Sequence, residues 1–467
     1  MLSPLHPSDS KMHSVQTLAR AAQASRSAPW SSSLSRAWMG GASTPIAVTS
    51  AAVGAMFAAL PARRRNGFAG MTALGLAKAQ PRGFCTARAA GSTDKIPTLH
   101  VGLVGYGLVG KELVNQMLAS SKALQEELGV KLEIAAVARS KTMVLLSEGS
   151  SDALSGGAWP SGEVEVDLEK FGSHVIKAAS ASPVDRAIIV DNTASDAPVD
   201  FYEAWLAAGA DVATPNKRAG SGPYARYEKI MAAAKSGGSR FMYEATVGAG
   251  LPIIGPAQVL RRAGDDVATV EGIFSGTLSY IFNTWKKGMK YSEVVAEAKD
   301  NGFTEPDPRD DLSGTDVQRK VTIVARELGL KLELDDVPVK SLVPDALQDW
   351  QPADGANLGD AFVKELEAYD DEMDALLEKA EAAGEVLRFV GAIDLKEGKA
   401  SVKLAQYPKD HPFASTQFAD NIVAVSSSWY SPRPLVVQGP GAGAEVTAAG
   451  IFGNVMETMG GMKVPAA

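Results

Sequence analysis

The sequence predicts an α/β fold in which a doubly wound parallel sheet is interrupted by a second, inserted α/β domain. Two observations predict the parallel sheet: an apolar segment at 98–104 runs into a glycine-rich turn and a helical segment, and two later apolar segments end in polar residues. A third observation predicts the insertion. Strand-like segments accumulate after residue 270, and a strand, a glycine turn and a helix at 435–451 then return the chain to the first domain.

The first 93 residues differ in composition from the rest of the chain. They contain ten Lys and Arg residues against one acid, Asp9, and are rich in Ser and Ala, which is typical of an organelle transit peptide. We expect a plastid protein, with a mitochondrion as the alternative. From Asp94 onward the formal charge is −17, so nucleic acid and anionic membranes are not expected as partners. The uncharged run at 44–62 is too rich in small residues to predict a membrane span.

Cysteine and histidine usage narrows the possible chemistry. The only cysteine, Cys85, lies in the predicted transit peptide, so the folded part has no disulfide, thiolate nucleophile or cysteine-ligated zinc. Its three histidines, His100, His174 and His411, show no metal-ligand spacing. A zinc–cysteine or thiol dehydrogenase is thereby excluded, and one that relies on a His–Asp pair is disfavoured.

The glycine-rich turn after the first strand has the pattern Gly-x-Gly-x-x-Gly. It lies between a strand and a helix, which is the context in which this pattern indicates dinucleotide binding. Gly105 allows the tight turn, Gly107 lets a pyrophosphate approach the backbone, and Gly110 lets the helix pack closely on the strand. The phosphates are expected at the helix N-terminus. The alternative is a structural glycine turn. The predicted dinucleotide contacts are Gly105, Tyr106, Gly107, Leu108, Val109 and Gly110.

The second strand, which begins at Lys131, ends without the acidic residue that would hold an unmodified ribose. Arg139, Ser140 and Lys141 follow instead, and these residues suit a 2′-phosphate. The sequence therefore predicts NADP(H) as the preferred cofactor, with NAD(H) as a possible one. The alternative is that these residues form a solvated basic loop.

Two more apolar strands end in residues that could contact a ligand. The run at 187–191 is followed by Asn192 and Thr193, and the run at 210–214 is stopped by Pro215, two residues before Lys217. Ligands bind at the carboxyl ends of parallel strands in open α/β sheets. We therefore expect Asn192, Thr193 and Lys217 beside the cofactor, although a lone loop lysine is often only solvated.

Two glycine turns open the second half of the chain. One follows Glu244, in the run Glu-Ala-Thr-Val-Gly-Ala-Gly-Leu-Pro, and the other is Ser275-Gly276 at the end of a predicted strand. Either turn alone is most simply a structural glycine turn.

The segment 301–320 contains more acids, prolines and glycines than a scaffold requires. Pro306 and Pro308 exclude a helix there, whereas apolar residues recur at helical spacing after an N-cap near Ser313. This spacing places Lys320 at the edge of the buried stripe, one turn after Asp316. Such a lysine could transfer protons, because burial lowers its pKa and nearby carboxylates raise it. The nearby acids are Glu305, Asp307, Asp310, Asp311 and Asp316. The alternative is a surface Asp–Lys pair.

Further elements complete the second domain. Residues 365–380 read as one exposed amphipathic helix, and strands are predicted at 386–394, 400–406 and 421–426.

Taken together, the Gly-x-Gly-x-x-Gly turn at 105–110, the Thr214-Pro-Asn-Lys run, the glycine turn after Glu244, the Ser275-Gly276 turn and the acidic segment 301–320 closely resemble homoserine dehydrogenases over residues 97–460. The resemblance implies NAD(P)H-dependent reduction of L-aspartate 4-semialdehyde to L-homoserine, on the path to threonine, methionine and isoleucine. It also implies a homodimer. The expected division is a transit peptide at 1–93, a Rossmann domain at 97–243, a catalytic, substrate-binding and dimerisation domain at 244–432, and a return to the Rossmann domain at 433–467.

The resemblance also assigns roles residue by residue. It implies that Lys320 and Lys217 are catalytic lysines, and that acids of the 301–320 segment hold the amino end of the substrate or orient Lys320. A monovalent cation, Na⁺ or K⁺, is implied at a backbone region. The implied catalytic residues are Lys320, Lys217, Asp316 and Glu305; the substrate-binding residues are Glu305, Asp311, Asp316, Lys217 and Gly276; the cation-binding residues are Glu244, Val247, Ala249 and Leu251. Gly443 is implied to close over the cofactor, with a terminal cap as the alternative.

The chain departs from the family pattern in two respects. Arg218 stands where the family often has a second lysine after Lys217. The first 93 residues are too short and too biased for the aspartate kinase of bifunctional members, and the chain stops at Ala467, so feedback control by threonine through an appended domain is not expected. Two other functions stay open: another NADP-dependent oxidoreductase of a small amino-acid aldehyde, and an inactive dinucleotide-sensing protein. The presence of both lysines argues against the sensor.

Overall fold

A computed structural model describes residues 95–352 and 356–462, all within one compact unit. The predicted transit peptide, residues 1–93, lies outside the described residues. None of the helices described is long and apolar enough to cross a membrane.

The first sheet has seven strands in the order β4-β3-β2-β1-β5-β6-β7. The strands β1, β2, β5, β6 and β7 run parallel, and β3 and β4 extend the sheet as an antiparallel edge that the sequence did not predict. The central strand β1 is buried along its whole length, as expected for a parallel strand covered on both faces. The bounds are β1 Thr98–Val104, β2 Lys131–Ala138, β3 Thr142–Leu145, β4 Val164–Glu165, β5 Arg186–Asp191, β6 Asp211–Ala213 and β7 Phe241–Met242.

Helices cover both faces of this sheet. Leu113 and Met117 belong to one apolar cluster with residues of the last helix, whereas Phe171, Tyr202 and Ile230 belong to the cluster on the other face. The predicted doubly wound α/β fold is therefore confirmed. The helices are α1 Leu108–Leu128, α2 Leu168–Ala179, α3 Val199–Ala207, α4 Lys217–Ser221 and α5 Tyr224–Gly237.

The second sheet has five antiparallel strands in the order β10-β9-β8-β11-β12. The bounds are β8 Val267–Ile273, β9 Glu385–Asp394, β10 Lys399–Pro408, β11 Asp420–Ser427 and β12 Leu435–Pro440. The sheet packs on helix α10, Thr315–Glu327, where Gly391 lies so close to Val321 that a Cβ would collide with it. The helices in this part of the chain are α6 Ile254–Ala263, α7 Gly276–Thr284, α8 Tyr291–Asp300, α9 Arg309–Leu312, α10 Thr315–Glu327, α11 Leu358–Leu366 and α12 Asp370–Ala382.

The prediction of a single helix at 365–380 is wrong, because α11 and α12 are separated by a 3₁₀ turn at Glu367–Tyr369. Asp370 explains the break. Its buried carboxylate accepts bonds of 2.8 Å from both the backbone N–H and the hydroxyl of Ser292, and so ties α12 to the first turn of α8. The acidic segment that was predicted to be exposed is therefore partly buried.

The chain returns to the first sheet only after Pro440. Strand β12 is the edge of the second sheet, and the last helix, α13 Ala444–Gly460, packs against α1, where Gln116 Nε2 donates to the Glu445 carbonyl at 3.1 Å. The strand of the predicted return therefore belongs to the inserted sheet. The crossing at Gly441–Gly443 lies between the two sheets, beside the candidate site.

Candidate active site

The turn between β1 and α1 has the geometry that phosphate binding requires. Gly105 has a φ of 87°, and its N–H donates to the Ala138 carbonyl at 2.9 Å. A Cβ on Gly110 would collide with the Gly105 carbonyl oxygen, so the first turn of α1 can form only with glycine there. Among the described residues no side chain caps the N-terminus of α1. Its N–H groups are therefore available to a pyrophosphate.

The carboxyl ends of β5 and β6 are joined through Asp191, a residue that the sequence analysis did not select. Its fully buried carboxylate accepts bonds from Tyr202 Oη at 2.6 Å, from Asn216 Nδ2 at 2.9 Å and from the Thr193 N–H at 2.8 Å. Burial raises the pKa of Asp191, and these hydrogen bonds oppose the rise. Asn216 also caps α4, so this network fixes the position of Lys217. An acid that ends a buried apolar strand is the signal that could have revealed it.

Asn192 follows β5 directly and lies against the glycine turn, since a Cβ on Gly105 would come within 2.9 Å of its carbonyl carbon. Both polar atoms of its side-chain amide are buried, and neither has a hydrogen-bond partner among the described residues. A buried amide without a partner costs free energy unless a ligand satisfies it. The residues present therefore fit a dinucleotide that crosses from β1 towards β5.

A cavity of about 940 Å³ lies between the two sheets and brings together all the predicted catalytic and substrate-binding residues. Those that line it are Lys217, Ala249, Gly276, Glu305, Asp311, Asp316, Lys320 and Gly443. Arg139, Ser140 and Lys141 lie outside this cavity, in the turn between β2 and β3. The strands lie in the order β2, β1, β5, β6. The turn that follows β2 and Lys217, which follows β6, therefore lie at opposite ends of one crevice.

One carboxylate joins the two lysines of the cavity. Asp316 Oδ1 lies 3.2 Å from Lys217 Nζ, and Asp316 Oδ2 lies 2.8 Å from Lys320 Nζ. Lys320 also donates to the Phe274 carbonyl at 2.7 Å and is only 8% exposed, so its ammonium is fixed. The surface-pair interpretation of Asp316 and Lys320 therefore does not describe this helix.

The electrostatics of these three residues are coupled. Burial lowers the pKa of Lys217, the Asp316 carboxylate opposes this effect, and the Lys320 ammonium adds to it. Burial alone would raise the pKa of Asp316, but the two ammonium groups reverse the shift and hold it well below its usual range. A buried lysine with a lowered pKa, held beside a carboxylate, is suited to give and take a proton.

Helix α10 begins one residue later than predicted. Gly314 is its N-cap in the left-handed region, with a φ of 75°, whereas Ser313 Oγ accepts a bond from the Thr315 N–H at 3.2 Å. A Cβ at Gly314 would come within 2.8 Å of Phe389, which favours glycine at that turn. The predicted apolar stripe is buried, including Val317 and Val321.

The acidic loop before α10 is held by Asp311. Its carboxylate accepts bonds from Thr277 Oγ1 at 2.9 Å and from the Glu305 N–H at 2.8 Å, and burial raises its pKa. Thr277 was not predicted; its position after the Ser-Gly turn at a strand end is the signal that could have found it. Arg309 fixes the other side of the loop, since it pairs with Asp307 at 2.7 Å and donates to the Trp350 carbonyl at 2.8 Å.

Arg218, the departure from the family pattern, does not line the cavity. Its NH1 lies 2.6 Å from Asp196, and its Nε donates to the Ala194 carbonyl at 2.6 Å. It therefore fixes the loop after β5.

The region from Glu244 to Leu251 offers backbone oxygens to a ligand. The Glu244 carboxylate accepts bonds of 2.7 Å from three consecutive N–H groups, at Ile253, Ile254 and Gly255, and so begins α6. Burial raises the pKa of Glu244. Within the described chain, the backbone oxygens of Val247, Ala249 and Leu251 accept no hydrogen bond, and no cluster of three or more acidic, histidine or cysteine side chains could hold a metal.

A phosphate-binding turn at one end of a crevice and a lysine–carboxylate group at the other define a nicotinamide-dependent oxidoreductase. Comparison with known proteins identifies the family. The family model "Homoserine dehydrogenase, NAD binding domain" matches residues 105–244, and the model "Homoserine dehydrogenase" matches residues 252–456. Homoserine dehydrogenase of Schizosaccharomyces pombe is 40% identical over 371 residues, which cover 77% of this chain and 95% of the relative. The chain belongs to the homoserine dehydrogenase family.

Other relatives are longer than this chain. Bifunctional aspartokinase/homoserine dehydrogenase 1, chloroplastic, of Zea mays is 46% identical over 360 residues, which cover 77% of this chain and 38% of the relative. The chain thus matches about two fifths of the length of these bifunctional relatives. Among solved structures, a hyperthermophilic archaeal homoserine dehydrogenase in complex with NADPH superposes with a TM-score of 0.56 at 20% identity, covering 77% of this chain and 97% of that one. This likeness concerns the fold.

Proposed function

We propose that this protein reduces L-aspartate 4-semialdehyde to L-homoserine with a reduced nicotinamide dinucleotide. The observation that carries the proposal is the group formed by Lys217, Asp316 and Lys320, which shares one cavity with the acidic loop and lies next to the dinucleotide crevice. An amino-acid aldehyde presents an ammonium, a carboxylate and a carbonyl, and this cavity offers acids and bases to all three. The family membership supports the same reaction.

The chain's own residues supply binding and proton transfer. The bound dinucleotide supplies the hydride that adds to the aldehyde carbon. Lys217 gives its ammonium proton to the aldehyde oxygen, so that the carbonyl becomes a hydroxymethyl group. The Asp316 carboxylate keeps Lys217 protonated until the proton is transferred, and it holds the Lys320 ammonium in position. Asp311 and Glu305 hold the substrate ammonium, and the Ser275–Thr277 turn with Gly276 forms the adjoining wall.

NADP(H) is the preferred cofactor in this proposal, and NAD(H) is a possible one. Arg139, Ser140 and Lys141 support the preference, because they are exposed and replace the acid that would bind an unmodified ribose. Asn192, Thr193 and Gly443 complete the proposed cofactor contacts. The proposal also takes residues 97–243 as the nucleotide domain and the inserted domain, which begins at 244 and includes β12 up to Pro440, as the substrate and dimerisation domain.

Three further features belong to the proposal. A monovalent cation, Na⁺ or K⁺, binds the backbone region of Glu244, Val247, Ala249 and Leu251; the backbone oxygens of the last three have no partners among the described residues. The chain acts as a homodimer. It functions in a plastid, with a mitochondrion as the alternative; chloroplastic relatives and the composition of residues 1–93 support this location.

The test is oxidation of NADPH by the full chain in the presence of L-aspartate 4-semialdehyde, followed by the loss of nicotinamide absorbance. We expect turnover and formation of L-homoserine. A folded protein that binds NADPH but does not turn over this aldehyde would refute the proposal. Turnover of a different amino-acid aldehyde in the same assay would assign the chain to another substrate.

The pH dependence of the reduction should shift when Asp316 is replaced by asparagine. The change removes the anion that raises the pKa of Lys217, whereas burial and the Lys320 ammonium still lower it. Lys217 then loses its proton at a lower pH, so we expect the alkaline limb of kcat to move down by about one to three pH units. The measurement is kcat against pH for both proteins. Asp300→Asn, at the exposed end of α8, is the control, and an unshifted limb in Asp316→Asn would contradict the assignment of Lys217.

A further inference from the structure

Trp159 and Arg139 form a stacked pair beside the dinucleotide turn. The guanidinium carbon of Arg139 lies 3.9 Å from the centroid of the Trp159 ring. Tyr106, within the glycine turn, lies 5.6 Å from Trp159 between ring centroids and 6.0 Å from the Arg139 guanidinium carbon. The guanidinium therefore rests on an indole face, with a residue of the phosphate-binding turn as its neighbour.

The indole itself is fixed. Trp159 Nε1 donates to Glu163 Oε2 at 2.9 Å, and Tyr106, which is 3% exposed, donates from its hydroxyl to the Leu154 carbonyl at 3.4 Å. The segment that carries Trp159 also packs on α1, since a Cβ on Gly157 would lie 3.4 Å from the Lys111 side chain. Trp159 thus has a defined position relative to the first turn of α1.

The Arg139 guanidinium has no hydrogen-bonding partner and no carboxylate within 4 Å in the part of the chain that the structure describes. Its backbone is nevertheless fixed, because the Arg139 N–H donates to the Thr142 carbonyl at 2.8 Å and the preceding Ala138 carbonyl accepts from Gly105 and Tyr106. Stacking covers one face of the guanidinium and leaves its N–H edge available. Through that edge an arginine donates two parallel hydrogen bonds to one phosphate group.

We propose that Trp159 is a positioning residue for a ribose 2′-phosphate: it holds the Arg139 guanidinium beside the glycine turn and thereby lets the protein distinguish NADPH from NADH. The inference rests on the proposed function and extends it to a residue outside the motifs. An unstacked, exposed arginine would have to be ordered each time a phosphate binds, which weakens binding. In the free protein, the contact with Trp159 already orders the Arg139 side chain.

The alternative role of Trp159 is purely structural, as a cover for Tyr106. Both roles predict some loss of stability when the indole is removed. Only the positioning role predicts a loss of affinity that is confined to ligands with a 2′-phosphate. Binding of paired ligands that differ in this phosphate therefore separates the two roles.

The experiment measures binding of 2′-phospho-ADP-ribose and of ADP-ribose to the full chain by titration calorimetry. In Trp159→Leu, affinity for 2′-phospho-ADP-ribose should fall about tenfold, the size expected when a partly desolvated cation–π contact is lost. Affinity for ADP-ribose should stay within about twofold, and kcat at saturating NADPH should be unchanged. Trp159→Phe keeps an aromatic face and should restore most of the affinity. Trp429→Leu, in the turn after β11, is the matched control.

The outcomes are distinguishable. If the unmodified protein binds both probes equally, the cofactor preference in the proposed function is wrong, and this inference fails with it. If the unmodified protein prefers the phosphorylated probe and Trp159→Leu keeps that preference, or loses affinity for both probes alike, the positioning role is overturned while the cofactor preference stands. In Arg139→Gln, adding Trp159→Leu should cause no further loss for the phosphorylated probe.

Discussion

Replacing Lys217 with methionine is expected to lower kcat for the reduction of L-aspartate 4-semialdehyde about a thousandfold, which is within the range for loss of a general acid. Methionine keeps the length and apolar stem of lysine but cannot donate a proton. Lys217→Arg should not restore turnover, because its guanidinium is charged but gives up its proton only at high pH. This comparison separates proton donation from mere positive charge.

The measurement is single-turnover NADPH oxidation, with NADPH binding measured in parallel by tryptophan fluorescence. Lys229→Met, on the exposed face of α5, is the control and should behave as the unmodified protein. A Lys217→Met variant that retains more than a tenth of kcat would show that the proton comes from elsewhere. Lys320 would then be the next group to test.

Replacing Arg388 with methionine should lower the free energy of unfolding by about 1–3 kcal/mol, as expected when buried carbonyl groups lose their hydrogen-bond donor. Arg388 is 4% exposed, and it has no carboxylate within 4 Å among the described residues. Its guanidinium donates to the carbonyls of Phe282 at 3.0 Å, Phe413 at 2.9 Å and Ala414 at 3.3 Å. The substitution leaves these buried carbonyls without a donor.

The measurement is urea unfolding followed by circular dichroism. Arg388→Lys keeps the charge and part of the hydrogen bonding, so we expect about half the loss. Arg433→Met changes an exposed arginine near β12 and is the matched control. Equal midpoints for Arg388→Met and Arg433→Met would contradict the role of Arg388 as a link between β9, α7 and the loop at 412–415.

The sequence could predict those parts of the fold that depend on local pattern. The apolar strand β1 and the glycine turn identify the dinucleotide crevice, because Gly105 and Gly110 each meet a steric requirement that no other residue meets. The spacing in α10 likewise predicts the burial of Val321 and Lys320. These inferences need only neighbours in the chain.

The parts that could not be predicted depend on contacts between distant segments. Asp370 begins a new helix where its carboxylate reaches Ser292, and Asp191 orders the site through Asn216. The local pattern shows only that Asp191 ends a buried strand, and it does not show which residues Asp191 and Asp370 contact. Trp159 is a lone aromatic in a polar loop, so only the folded chain reveals that it stacks on Arg139.

The sharing of Asp316 by two ammonium groups has a consequence for how the site titrates. Two ammonium groups and one carboxylate give the group one net positive charge, and loss of the Lys217 proton leaves Asp316 to pair with Lys320 alone. The alkaline break in a pH–rate profile therefore reports on the three residues as a unit, and not on Lys217 alone. A substrate anion that approaches the group stabilises its positive charge, and so moves that break to a higher pH.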